Sequence, residues 1–240
     1  ADYVQDTKIY QSFEAGVASQ GLSVQHPAPE TDFAFGSGKF TVLSPQSISS
    51  NDNDNSVAIR LENGSNHFLF TGDAESAGEE AICNLGIDLS CDVIVPGHHG
   101  SATATTWNLL QQTVPEYAVI SCRAGNSYGH PHKDTMDKLS DMGIQVFRTD
   151  EQGTIIAVSD GNSIEWNQNP VMITHREMNP IPVHSPLPFM MIPEVLPTDP
   201  STHPITIPRL LLRQKLKMWA IWSGSPLQEA NITAFQIVAI

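Results

Sequence analysis

The sequence predicts an α/β fold in which short buried strands alternate with amphipathic helices, and three observations predict it. The apolar runs Phe68–Phe70 and Val93–Val95 are bounded by turn residues and read as buried strands. Between them, Ala74–Leu85 carries Glu75, Glu79 and Glu80 early and Ala81, Ile82 and Leu85 at helical spacing. The same alternation then recurs as far as Trp166, the pattern of a layered α/β domain.

Taken in order, 7–20 places Ile9, Phe13 and Val17 on one helical face, and Gly21 stops that helix. Leu22–Val24, Phe33–Phe35 and Phe40–Leu43 read as short strands, and SISSNDNDNS as a polar loop. Val57–Leu61, the Asn63–Gly64 turn and the strand leading to Asp73 make 56–72 a hairpin. Thr103–Val114 is a helix with Trp107, Leu109 and Leu110 inward, followed by the buried strand Tyr117–Ser121 and the loop Asn126–Pro131. Lys133–Met142 is helical and ends at Gly143, and Val146–Arg148, Gly153–Val158 and Ser163–Trp166 are closing strands.

Polar groups gather where two of these strands end. Thr71, Gly72 and Asp73 follow the first apolar run, and Gly97, His98 and His99 follow the second. Open α/β sheets bind ligands at such strand ends. A carboxylate offers hard oxygen and a neutral imidazole offers nitrogen, and Zn²⁺ accepts both. The bland alternative carries equal weight on the pattern alone: Asp73 caps the next helix, and His98 and His99 are ordinary loop histidines.

The strings FLFTGDAE, VPGHHGS, NSYGHP and RTDEQGTI, in this order, resemble the metallo-β-lactamase superfamily. Within it they are similar to the extracytoplasmic hydrolase domain of ComEC-like competence proteins and their stand-alone relatives. The resemblance covers roughly Lys8–Trp166. It implies one half of an αββα sandwich, here its C-terminal part, over 1–166. It matches Asp73 to a metal-bridging aspartate and His98 to a metal-ligand histidine. His99, Ser101 and His130 match further site positions. The implied cofactor is a divalent metal, Zn²⁺ as one or two ions with Mn²⁺ as an alternative, and the implied location is extracytoplasmic or secreted.

The resemblance also implies a reaction. Metal-activated water attacks a phosphodiester or, as an alternative, another ester, with His99 or His130 handling the leaving-group proton. Ser101 would orient an anionic group at the start of the next helix, and Arg148 would steady a phosphate. An Arg148–Asp150 structural pair is an equal reading. The superfamily's His-x-His-x-Asp-His motif, or its His-x-Asp-x-Asp-His form, is expected before the first helix. We find neither form, so the N-terminal half that carries it is expected to be missing. The lookalike His130-Pro131-His132-Lys133-Asp134 has Thr135 where the last histidine belongs, and His132 and Asp134 read as residues of a helix start. With about three protein ligands needed for a catalytic zinc, weak metal binding and poor catalysis are expected of the chain alone.

From Asn167 the character changes. Eleven of the 17 prolines lie between Pro170 and Pro226, and 167–240 reads as a Pro-rich linker and disordered, non-globular tail. Its last apolar stretch has no period, and a partner-binding peptide and a stretch translated out of frame both stay open. The net charge of −14 argues against a general electrostatic grip on nucleic acid or anionic membrane. No run approaches the ~18 apolar residues of a transmembrane helix, and Ala1 opens no signal peptide. Cys83, Cys91 and Cys122 lack zinc-finger spacing and read as small core residues. Two further classes remain beside the hydrolase: a non-catalytic binding scaffold on the same fold, and a fragment without activity of its own.

Overall fold

The computed structural model describes residues 7–173, 218–220 and 235–239. It opens with helix α1 (Lys8–Ser19), capped by Thr7, whose Oγ1 accepts from the Tyr10 amide at 3.1 Å. Seven strands then build one sheet in sequential order: β1 (Asp32–Phe35), β2 (Gly38–Val42), β3 (Ile59–Asn63), β4 (Asn66–Phe70), β5 (Val93–Val95), β6 (Tyr117–Ile120) and β7 (Gln145–Arg148). β1 to β4 pair antiparallel; β4, β5, β6 and β7 pair parallel. Parallel neighbours need crossovers. The crossovers contain α2 (Ser76–Cys83), α3 (Trp107–Thr113) and α4 (Lys133–Asp141). Because these four strands run the same way, the loops after each leave from one edge of the sheet.

Strand alternation divides the core in two. Leu69, Ile94, Ala118, Ile120 and Val146 face the helices and pack with Ile82, Leu109, Leu110 and Leu139. Phe68, Phe70, Val93, Val95, Val119 and Phe147 face the other way and pack on Ile155 and Trp166. Both faces of β4 to β7 are thus covered, which is why those strands are nearly all apolar. Each fully buried Phe, Leu or Ile contributes roughly 1.5–3 kcal/mol.

After α5 (Thr149–Gln152) a second sheet forms from β8 (Ile155–Ser159) and β9 (Ile164–Trp166). Two later segments, β10 (Met218–Ala220) and β11 (Phe235–Ala239), extend it in the order β10-β11-β8-β9. Asn63 Nδ2 donates to Ser159 O at 3.2 Å and Oγ at 3.0 Å, pinning the sheets together. The hairpin turn at Gly64 sits so close that a Cβ there would lie 2.3 Å from Gly161 O.

Several expectations change. Leu22–Val24 has no regular structure. Of the α1 face only Val17 is buried, and Ile9 is exposed. Trp107 is exposed at the start of α3 while Leu109 and Leu110 are buried. Residues 167–173 still pack: the Val171 amide bonds Val146 O, and Val171 and Ile173 touch the helix-side core. Within the stretch read as a non-globular tail, β10 and β11 are strands; 174–217, 221–234 and 240 lie outside the described residues. Cys83 and Cys91 are buried and Cys122 partly so, and burial raises their pKa values to about 11, 12 and 12. No helix among the described residues is long and apolar enough to cross a membrane.

Candidate functional site

The loops after β4, β5 and β6 meet at the shared sheet edge. The Gly72 carbonyl after β4 accepts from the His98 amide after β5 at 3.0 Å. The Asp73 amide is held by Ser56 Oγ at 3.0 Å. Gly97–Gly100 forms a 3-10 turn in which His98 (φ 50°, ψ 44°) and His99 (φ 58°, ψ 27°) are both left-handed. Side chains other than glycine pay roughly 1–2 kcal/mol each for that conformation. Such strain persists only where surrounding structure imposes it, and it clusters at functional sites. Here the surroundings are tight: a Cβ on Gly100 would meet Pro131 at 2.8 Å.

The two histidines are oriented from behind. His99 Nδ1 lies 2.7 Å from the Ser121 carbonyl, which can only accept, so the proton sits on Nδ1. His99 Nε2 then faces Asp73 Oδ1, 3.6 Å away. His98 Nδ1 is buried and lies 3.2 Å from Glu75 Oε1, outside hydrogen-bond alignment. Glu75 in turn accepts from Asn51 Nδ2 (3.0 Å), Asn53 Nδ2 (3.1 Å) and Thr103 Oγ1 (3.1 Å). Burial alone would raise its pKa, but these bonds and the neighbouring His98 hold it below the ordinary glutamate value. The Asn-rich loop also supplies Asp54, whose Oδ1 caps α2 by accepting from the Glu75 and Gly78 amides at 3.0 and 3.1 Å. Asp54, and not Asp73, is the helix cap.

His130 completes the cluster. Its ring centroid lies 5.5 Å from that of His98 and 6.3 Å from that of His99. Burial first, then the fields of His132, His98 and His99, lower its pKa against the pull of Asp73, so it is neutral at pH 7. Its ring nitrogens form no hydrogen bond among the described residues. His132 is different: Nδ1 accepts from the Ala102 amide at 2.9 Å and Nε2 donates to Tyr128 O at 3.1 Å, so neither nitrogen is free. Asp134 pairs with Lys138 within α4.

The other predicted site residues lie apart from this arrangement. Ser101 is buried, with Oγ 3.0 Å from Thr103 Oγ1, and α3 starts only at Trp107. Ser101 therefore supports Thr103 and, through it, Glu75. Every guanidinium nitrogen of Arg148 faces a carboxylate: Nε and Nη2 reach Asp150 at 3.1 and 2.6 Å, and Nη1 reaches Glu151 at 2.6 Å. The sequence reading missed Glu75, Asn51 and Asn53. Their only signal was a dense run of side-chain amides ahead of a strand that ends in an acidic string.

Asp73, His98, His99 and His130 thus converge, and a carboxylate with neutral imidazoles is donor chemistry suited to Zn²⁺ or Mn²⁺. Histidine oriented by a carboxylate or carbonyl on its far nitrogen is the usual support of a metal ligand. The set is not closed, however. Among the described residues no group of three or more His, Cys, Asp or Glu side chains is placed to hold a metal ion.

The chain is 37% identical over 118 residues to ComE operon protein 3 of Bacillus subtilis, a match covering 49% of this chain and 15% of that protein. It is 37% identical over 105 residues to competence protein ComA of Neisseria gonorrhoeae, covering 43% and 15%. Its homologues are competence proteins of the ComEC family. Recombination protein 2 of Haemophilus influenzae is a third, 39% identical over 102 residues, 42% of this chain and 13% of the relative. The matches therefore span about a seventh of these curated relatives' length. No protein-family model matches the chain.

Proposed function

We propose that the chain is the metal-dependent hydrolase part of a ComEC-like competence protein, built on a metallo-β-lactamase fold and cutting phosphodiester bonds outside the cytoplasm during DNA uptake. One observation carries the reading. His99, with Nδ1 turned to the Ser121 carbonyl at 2.7 Å, directs Nε2 at Asp73 Oδ1, 3.6 Å away. An imidazole nitrogen and a carboxylate oxygen facing each other are donor chemistry that a divalent cation takes. The relatives' own names, a competence protein among them, support the process.

In this reading Asp73 and His98 hold a divalent ion, Zn²⁺ or Mn²⁺, with His99 beside them. A bound ion would supply Lewis-acid chemistry at neutral pH. Glu75 lies 3.2 Å behind the His98 ring, and the Ser121 carbonyl holds that of His99. His130, kept neutral, can accept a proton from attacking water at a ring nitrogen and return it to the leaving oxygen. Because the described residues do not close a three-donor site, the isolated chain should bind metal weakly and turn over poorly. A longer ComEC-like protein supplying further donors should be active.

The test is hydrolysis of bis(p-nitrophenyl) phosphate with added Zn²⁺ or Mn²⁺. Asp73→Ala and His98→Ala, made in an active longer protein, should each lower turnover about 10²–10⁴-fold with unchanged folding. Full activity in either variant would end the reading. The open donor set favours a second reading, a scaffold that binds without turnover, and metal-independent substrate binding with no hydrolysis would select it.

A further inference from the structure

We propose that Tyr128 is a stacking platform for a nucleobase of a single DNA strand, set at the mouth of the histidine cluster. This rests on the phosphodiester reading above and names how the substrate is held.

Tyr128 is 76% exposed, yet it is not a loose surface side chain. Asn126 fixes the loop around it: Oδ1 accepts from the Tyr128 and His130 amides at 3.2 and 3.0 Å, and Nδ2 donates to Arg123 O and His130 O at 2.9 and 2.6 Å. The Tyr128 carbonyl accepts from His132. Backbone N–H and C=O are thus both committed, and the ring lies 5.7 Å from His130, nearly parallel at 21°. Single exposed apolar side chains such as Ile9 are ordinary. A rigidly mounted aromatic ring in contact with a cluster histidine is not.

Charge decides what such a ring is for. Strand binding through phosphates needs cations, and this chain carries a net charge of −14. Arg123, exposed on the same loop, can reach one phosphate, but nothing on this scale offsets the general repulsion. Affinity has to come from the uncharged part of the nucleotide. Every base presents a π-face, so stacking holds a strand without reading its sequence. A base on Tyr128 would leave its adjoining phosphodiester within reach of His130.

The test uses the full chain in EDTA, with fluorescence anisotropy of a labelled oligothymidylate and an abasic strand of equal length. The wild-type chain should prefer the thymidylate by about five- to a hundredfold. Tyr128→Ala should erase that preference with an unchanged melting temperature, and Tyr128→Trp should restore it. Equal binding of both strands, no binding of either, or a preference that survives Tyr128→Ala overturns the platform. Hydrolysis of bis(p-nitrophenyl) phosphate by an active longer protein tests the hydrolase reading separately. Stacking without hydrolysis discards that reading alone, and hydrolysis without stacking discards the platform alone.

Discussion

Two turns leave the same edge of the sheet and end differently: Gly97–Gly100 after β5 and Thr149–Gln152 after β7. Both follow parallel strands, and both carry charged or ionisable side chains. After β7 every polar group is committed. Arg148 is gripped by Asp150 and Glu151, Thr149 Oγ1 accepts from the Cys122 amide at 3.0 Å and donates to its carbonyl at 2.8 Å, and Gln152 Oε1 takes the Arg148 amide at 2.9 Å. After β5 the backbone is left-handed at two histidines, His98 Nδ1 lacks a hydrogen bond, and His99 Nε2 faces a carboxylate. Position at a strand end therefore does not make a site. Uncommitted polar capacity, held in place by strain, does.

The largest test removes what holds the Thr105 turn, the next left-handed point of the chain other than glycine after His98 and His99, from behind. Glu79 is fully buried, and its carboxylate accepts from the Thr105 and Thr106 amides at 2.6 and 2.8 Å. Thr105 is itself left-handed, with φ 54°. Glu79→Ala orphans both amides and should cost about 2–6 kcal/mol, at about 1–3 kcal/mol for each donor left unpaired. Urea melts would measure it, and a loss under 1 kcal/mol would show that the turn holds itself. Burial raises the Glu79 pKa against the pull of those amides and Lys138. The folded state therefore binds a proton that the unfolded state has released, and this contribution declines as pH rises above the ordinary value of 4.5. Glu79→Gln should flatten that decline relative to wild type.

Glu75 tests the uncommitted side of the comparison. Glu75→Leu should weaken Zn²⁺ or Co²⁺ binding about 10–100-fold, the usual effect of losing an outer partner of a metal-binding histidine. In the metal-free chain, long-range ¹H–¹⁵N spectra should show the balance of His98 tautomers shifting when Glu75, 3.2 Å from Nδ1, is replaced. An unchanged tautomer together with unchanged affinity would reduce Glu75 to a loop support.

Much of the fold was legible because burial on both faces makes strands such as Val93–Val95 uniformly apolar. That Asp73, His98 and His99 share one sheet edge was legible because polar groups beside glycine at strand ends are a local signal, whereas His130 was singled out only by the resemblance. Glu75 was hidden, since its bonds to Asn51 and Asn53 join residues 24 and 22 positions apart and leave no periodic trace. β10 and β11 were hidden too, because their apolar surroundings in the sequence follow no two-residue period. Arg148 sits between: its partner Asp150 is two residues away, so the pair could be read as readily as a phosphate contact.

Arg148 gives the smallest effect and the sharpest contrast. If the turn after β7 is structural, Arg148→Met should leave phosphodiester hydrolysis within about threefold of wild type and cost about 1–2 kcal/mol of stability at pH 7, as for charge-assisted bonds in a partly exposed pair. The pH dependence has a definite sign. Burial works to raise the Asp150 pKa, but the bonds from Arg148 and Cys122 and the Arg148 charge outweigh it, and the pKa is lowered. A lowered carboxylate pKa contributes stability above the unfolded value of 3.8, and that stability is lost as pH falls through the folded value. The gap between wild type and Arg148→Met should therefore be widest near neutrality, begin to narrow as pH nears 3.8, and close only once pH has fallen through the lowered folded value of Asp150. A variant that melts like wild type at pH 7 but loses hydrolysis or strand binding would reverse the assignment. Arg148 would then hold substrate, and the difference drawn between the two turns would fail.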